Sequence, residues 1–73
     1  MTTYTYMISY INRYGVYTRV GFGSEDKMFD AAARVDREGG ELLNASREVW
    51  EEINGVARFI RIDRYSMGVP VVE

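Results

Sequence analysis

The sequence predicts an α+β fold: an N-terminal antiparallel β-hairpin, one amphipathic helix, then a short strand, a short helix or hairpin arm, and a C-terminal strand in the same small sheet. Three observations carry this. Alternation of large and small side chains runs through "TYTYMISYI", a capped helical pattern follows in "GSEDKMFDAAARVDREGG", and a second β-rich stretch, "VARFIRIDRY", comes after it.

Alternation puts Tyr4, Tyr6, Ile8 and Tyr10 on one face of the first strand and Thr3, Thr5, Met7, Ser9 and Ile11 on the other. "NRYG" then supplies a turn in which Gly15 is free to take positive φ, closing a loop of three or four residues. The chain returns as "VYTRVGF", with Val16, Thr18, Val20 and Phe22 on one face and Tyr17, Arg19 and Gly21 on the other. Gly21 and Gly23 lack the full spacing of a phosphate-binding loop and read as a sharp strand-to-helix connection.

Ser24 is placed to cap the helix, Glu25 and Asp26 sit where its dipole favours negative charge, and Arg34 and Arg37 sit near its other end. Gly39 and Gly40 stop it. Met28, Phe29, Ala32 and Val35 form the stripe toward the core, and Asp30 and Arg34 are spaced for a surface ion pair. Glu41 to Asn44 reads as a short strand.

Residues 46–54 admit two readings. As a helix, Ser46 caps and Val49, Trp50 and Ile53 share a face. As a hairpin, Asn54-Gly55 forms a two-residue turn setting Ile53 opposite Val56, Glu51 opposite Arg58, Trp50 opposite Phe59, Val49 opposite Ile60 and Glu48 opposite Arg61. Val49, Trp50 and Ile53 do not alternate, which favours the helix. In both readings Val56 to Tyr65 is a strand, and residues 66–73 are expected to fray.

With 73 residues, the chain is expected to form one domain, residues 1–73, since smaller pieces could not bury a core. It has no cysteine and no histidine, so disulfides and the usual zinc ligand sets are excluded and no cofactor is expected. The same absence removes the commonest general base and the best nucleophilic arrangements, so a noncatalytic role without a small-molecule substrate is expected. No apolar run reaches the length of a membrane span, and no basic region followed by an apolar block opens the chain; a cytoplasmic protein without membrane contact is expected. Formal net charge is −2, with eight of the nine basic residues arginine, so the whole-molecule field does not draw nucleic acid.

Candidate partner-binding residues are Tyr14, in the turn; Tyr17 and Arg19, on one face of the second strand; and Arg58, Arg61 and Arg64 in "RFIRIDRY". Exposed tyrosine and arginine are the residue types enriched at protein interfaces. Strict alternation would separate Arg61 from Arg58 and Arg64 and prevent a continuous basic stripe. Glu48, Glu51 and Glu52 read as a solvated acidic face, since nothing nearby would drive their pKa values apart.

Taken together, the aromatic hairpin "YTYMISYINRYGVYTRV", the capped helix and the strand "ARFIRIDRY" resemble the small phage-encoded regulators that bind host RNA polymerase, of the Xanthomonas-phage type. That resemblance implies a host protein complex as partner, bacterial RNA polymerase. It further implies inhibition of sigma-dependent initiation, promotion of antitermination, and at most indirect contact with RNA. A phage inhibitor of another target, such as an anti-CRISPR protein, and a small nucleic-acid-binding module are the competing readings. An enzyme would need a concave pocket that so small a core has little room to build.

Overall fold

A computed structural model describes residues 1–72. Its order is β1 (Thr2–Ile11), β2 (Tyr17–Phe22), α1 (Glu25–Arg37), β3 (Glu41–Ile53), β4 (Val56–Ser66) and β5 (Val69–Val71). The strands form one antiparallel sheet in the order β2-β1-β3-β4-β5, and α1 covers one face. The α+β class and the N-terminal hairpin are as the sequence predicts.

The β1–β2 loop is built by Asn12, whose side-chain Oδ1 accepts from the amides of Tyr14 (2.9 Å) and Val16 (3.0 Å), while Gly15 takes φ +81°. Ser24 Oγ caps α1 by accepting from the Lys27 amide at 3.3 Å. At the other end Gly39 takes φ +81° and donates to Asp36 O, and Gly40 donates to Val35 O. This pair of bonds is a Schellman closure, which satisfies the last helical carbonyls and turns the chain straight into β3.

Ile8, Met28 and Val35 form the buried centre, with Tyr6, Tyr10, Phe22, Phe29, Ala32, Ala45 and Tyr65 packed around it. Burial of side chains of this size contributes about 2 kcal/mol each. Tyr65 packs edge-on to Phe29, ring centroids 5.6 Å apart, and donates its hydroxyl hydrogen to Glu25. Burial chiefly, and then that bond to a carboxylate, push the Tyr65 phenol well above its ordinary pKa. Tyr4 departs from the expected tyrosine layer: it is exposed and lies beneath the Arg47 guanidinium, 4.7 Å from the ring centroid.

Three expectations are corrected. Residues 46–54 are strand and turn, not a helix: β3 runs unbroken from Glu41 to Ile53, and Asn54 (φ 53°) and Gly55 (φ 79°) form a two-residue turn into β4. Both positive φ values suit the twist of a hairpin. The segment expected to fray instead turns at Met67-Gly68 and pairs as β5, with Arg64 opposite Val71 and Ser66 opposite Val69. Asp30 and Arg34 are not among the ion pairs within 4 Å formed by the described residues.

Candidate interaction surface

The β3–β4 hairpin is longer than α1 can cover, and its distal half carries a run of exposed apolar side chains. Ile53 and Val56 flank the turn, and Phe59, Ile60 and Ile62 follow on β4, all exposed. The predicted pairs Ile53·Val56, Glu51·Arg58 and Trp50·Phe59 form as expected. Beyond them the register slips by one residue, so Val49 faces Arg61 and Glu48 faces Ile62. Ile60 is the extra residue of a β-bulge.

That bulge corrects the arrangement of the arginines. Tyr4 and Val49 are cross-strand partners, as are Thr2 and Glu51, so Val49 and Glu51 lie on the same side of the sheet as the helix. Their β4 partners, Arg61 and Arg58, therefore share that side, where strict alternation had separated them. Arg64, paired with Ser46, lies on the open face.

Asp63 anchors the base of the arm. It is buried, and its carboxylate accepts from Arg47 Nε and Arg61 Nε, each at 2.8 Å. The hydrogen bond from Arg47 first, and then that from Arg61, hold the Asp63 carboxyl below its ordinary pKa against the opposing effect of burial. The same bond raises the Arg47 guanidinium. Nearer the tip, Trp50 and Phe59 meet edge to face with centroids 5.5 Å apart on the open side. On the helix side, Glu51, Ile53, Val56, Arg58 and Ile60 line a shallow groove of about 300 Å³. Glu51 is engaged by the N-terminal ammonium at 3.1 Å and the Thr2 hydroxyl at 2.9 Å, which lower its pKa in that order of partners with the ammonium first.

The other predicted residues lie across the sheet. Tyr14 and Tyr17 are exposed, at 73% and 59%. Tyr14 sits against Arg13, Tyr17 Oη lies 3.4 Å from Ser9 Oγ, and Arg19 reaches over the open face to Glu48 at 3.8 Å. With β1 and β3 between β2 and β4, the six candidates do not form one surface: Tyr17 and Arg19 share the open face of β2, Arg58 and Arg61 share the helix side of β4, and Tyr14 and Arg64 lie apart from both pairs. A larger cleft of about 580 Å³ between α1 and the β1–β2 hairpin has an apolar floor that includes Ile8, Val20 and Phe22, with Arg13, Arg34 and Glu38 at its rim.

Sequence reasoning missed Ile53, Val56, Phe59, Ile60 and Ile62 as a surface. Their signal was the Asn54-Gly55 turn joined to the unalternating run "VARFI". Among the described residues no group of three or more acidic side chains is placed to hold a metal ion, and no helix is long and apolar enough to cross a membrane. Comparison with known protein families, with characterised proteins and with solved structures finds no match.

Proposed function

We propose that this chain is a regulator that acts by occupying a surface of a larger protein assembly, and that the assembly is host bacterial RNA polymerase. Bound there, it blocks sigma-dependent initiation and favours read-through of terminators by steric occupation. One observation supports the occupying role above the others: an arm with apolar side chains exposed on both faces projects past α1. Contiguous exposed apolar surface on a small protein marks an interaction site. The arginines beside it supply the planar donors that interfaces favour. Polymerase as the partner rests on the resemblance of the aromatic hairpin, capped helix and arginine-rich strand to the phage regulators.

Purified bacterial RNA polymerase and the tagged full chain test this directly, by binding and by promoter-specific transcription. The wild-type chain is expected to bind the enzyme and suppress initiation. Ile53→Asp with Val56→Asp, which adds charge at the exposed tip and removes nothing from the core, is expected to abolish both. Failure to bind polymerase, alongside capture of a nuclease complex or of nucleic acid alone, would reject the proposal.

A further inference from the structure

The arm ends in an unpaired backbone edge. β5 pairs only with Arg64, Tyr65 and Ser66, so along Val56–Asp63 no described strand adjoins β4 on that side. Ladder bonds alternate along an antiparallel strand. The two-residue turn makes Ile53·Val56 a bonded pair, so Val56 and Arg58 bond toward β3, and past the bulge Arg61 and Asp63 do so. The amides and carbonyls of Ala57, Phe59 and Ile62 are left facing the edge. Tyr65 fits the same alternation, since it stands opposite Pro70, which has no N–H to give.

Natural sheets blunt such edges with lysine, proline, a bulge, inward-pointing charge or a covering element, and of these the Val56–Asp63 edge has the Ile60 bulge and the buried Asp63 at its base. This one carries neither lysine nor proline, and Val56, Phe59, Ile60 and Ile62 are 67, 46, 45 and 49% exposed. Its charge is positive. Asp63 is buried and engaged by Arg47 and Arg61, while Arg58 has no ion pair within 4 Å among the described residues.

We infer that the Val56–Asp63 edge of β4 takes up an extended segment of another protein, with acidic and apolar residues alternating, as an added strand. This rests on the reading of the chain as a surface-occupying binder and specifies how the arm binds. Side chains alternate in the added strand, so acids on one face lie toward Arg58 and Arg61 while the apolar residues between them cover Phe59 and Ile62. The same arginines argue against a second copy as occupant. Two β4 edges paired antiparallel about a point between Phe59 and Ile60 would set Arg58 of each copy against Arg61 of the other, and like charges directly opposite destabilise a ladder.

The test uses the full chain and a capped synthetic peptide of alternating glutamate and valine, with a lysine-valine peptide as its counterpart. Binding is titrated, and amide hydrogen exchange is followed residue by residue. The glutamate peptide is expected to bind, to slow exchange at Ala57, Phe59 and Ile62, and to exceed the lysine peptide. Ala57→Pro removes one edge N–H and none directed to β3; it is expected to weaken binding about tenfold. Arg58→Glu leaves the backbone intact and is expected to reverse the preference between peptides. Equal binding of both peptides, binding of neither, protection elsewhere, or a concentration-dependent dimer protecting these amides without peptide would each overturn the inference. Polymerase binding unchanged by Ala57→Pro would overturn it while leaving the regulatory role standing. Edge protection by the peptide, with no binding of polymerase, would do the reverse.

Discussion

Substituting alanine for Gly40 places a methyl group where the backbone has no room. A Cβ at that position would lie 2.8 Å from Ile11 O, 3.2 Å from Val35 O and 3.0 Å from Val35 Cγ1. Two of these three atoms are main chain and cannot rotate aside. Ile11 is the last residue of β1 and pairs with Glu41 at the start of β3. Relief therefore requires parting those strand ends or breaking the Gly40 N–H bond to Val35 O. Overpacking of this kind costs about 1–3 kcal/mol, against roughly 3–5 kcal/mol for the whole of a chain this small. At about 4–8 °C of melting temperature per kcal/mol in a domain of this size, Gly40→Ala is expected to melt roughly 5–20 °C below wild type. Two other glycines separate the causes. A Cβ at Gly39 meets only Arg13 Cβ at 3.7 Å but sits at φ +81°, so Gly39→Ala is expected to cost about 1 kcal/mol through conformation alone. Gly23 has neither a positive φ nor any atom within 4 Å of its Cβ, so Gly23→Ala is expected to be nearly neutral. Thermal and urea unfolding followed by circular dichroism would rank the three. Gly40→Ala melting with Gly23→Ala would refute the placement of α1's end against β1.

Two further perturbations probe surface and core. Tyr14→Ala with Arg19→Ala removes exposed side chains and is expected to change stability by less than about 0.5 kcal/mol, whereas Phe29→Ala, which leaves a gap beside Tyr65, is expected to cost about 2–3 kcal/mol; equal losses in urea would place the first pair inside the fold. Asp63 gives a pH dependence with a definite sign. Its folded-state pKa is depressed below the ordinary 3.8, so the unfolded chain binds the proton more readily, and the stabilisation is complete above about pH 4 and lost as pH falls through the folded value. Asp63→Asn is expected to be the less stable protein at neutral pH and to close the gap with wild type as acid is added; a gap independent of pH would separate Asp63 from that role.

How far the sequence revealed this depended on the distance over which each feature is decided. Ser24, Gly39 and Gly40 mark the helix locally, and Asn12 with Gly15 marks the first hairpin locally; all five act where expected. Residues 46–54 misled because the arm is apolar on both faces. Val49 and Ile53 lie on the helix side and Trp50 on the other, so the two-residue alternation that identifies a half-buried strand is lost. Cross-strand chemistry gave the register correctly from the turn as far as Trp50·Phe59. The bulge at Ile60 then displaced it by one residue and brought Arg58 and Arg61 to one side. The open edge of β4 was beyond reach of pattern reading, because it depends on how few residues β5 covers.

Anchoring and presentation divide the same two strands between them. Toward Ser66, β4 is held through Tyr65 against Phe29 and through Asp63 against Arg47, and Arg47 in turn lies over Tyr4 of β1. Toward Asn54 no described helix lies beneath the strands, and the ladder is supplemented by Trp50 against Phe59 and by Thr2 and the N-terminal ammonium on Glu51. The distal half therefore contributes little of the buried apolar area on which folding depends, while leaving Val56, Phe59, Ile60 and Ile62 in water. A partner covering those side chains would remove from water apolar surface that the fold itself leaves exposed. Changes at the tip should accordingly separate binding from stability, whereas changes at Asp63 should move both, because the buried carboxylate ties Arg61 of β4 and Arg47 of β3 together at the base of the arm.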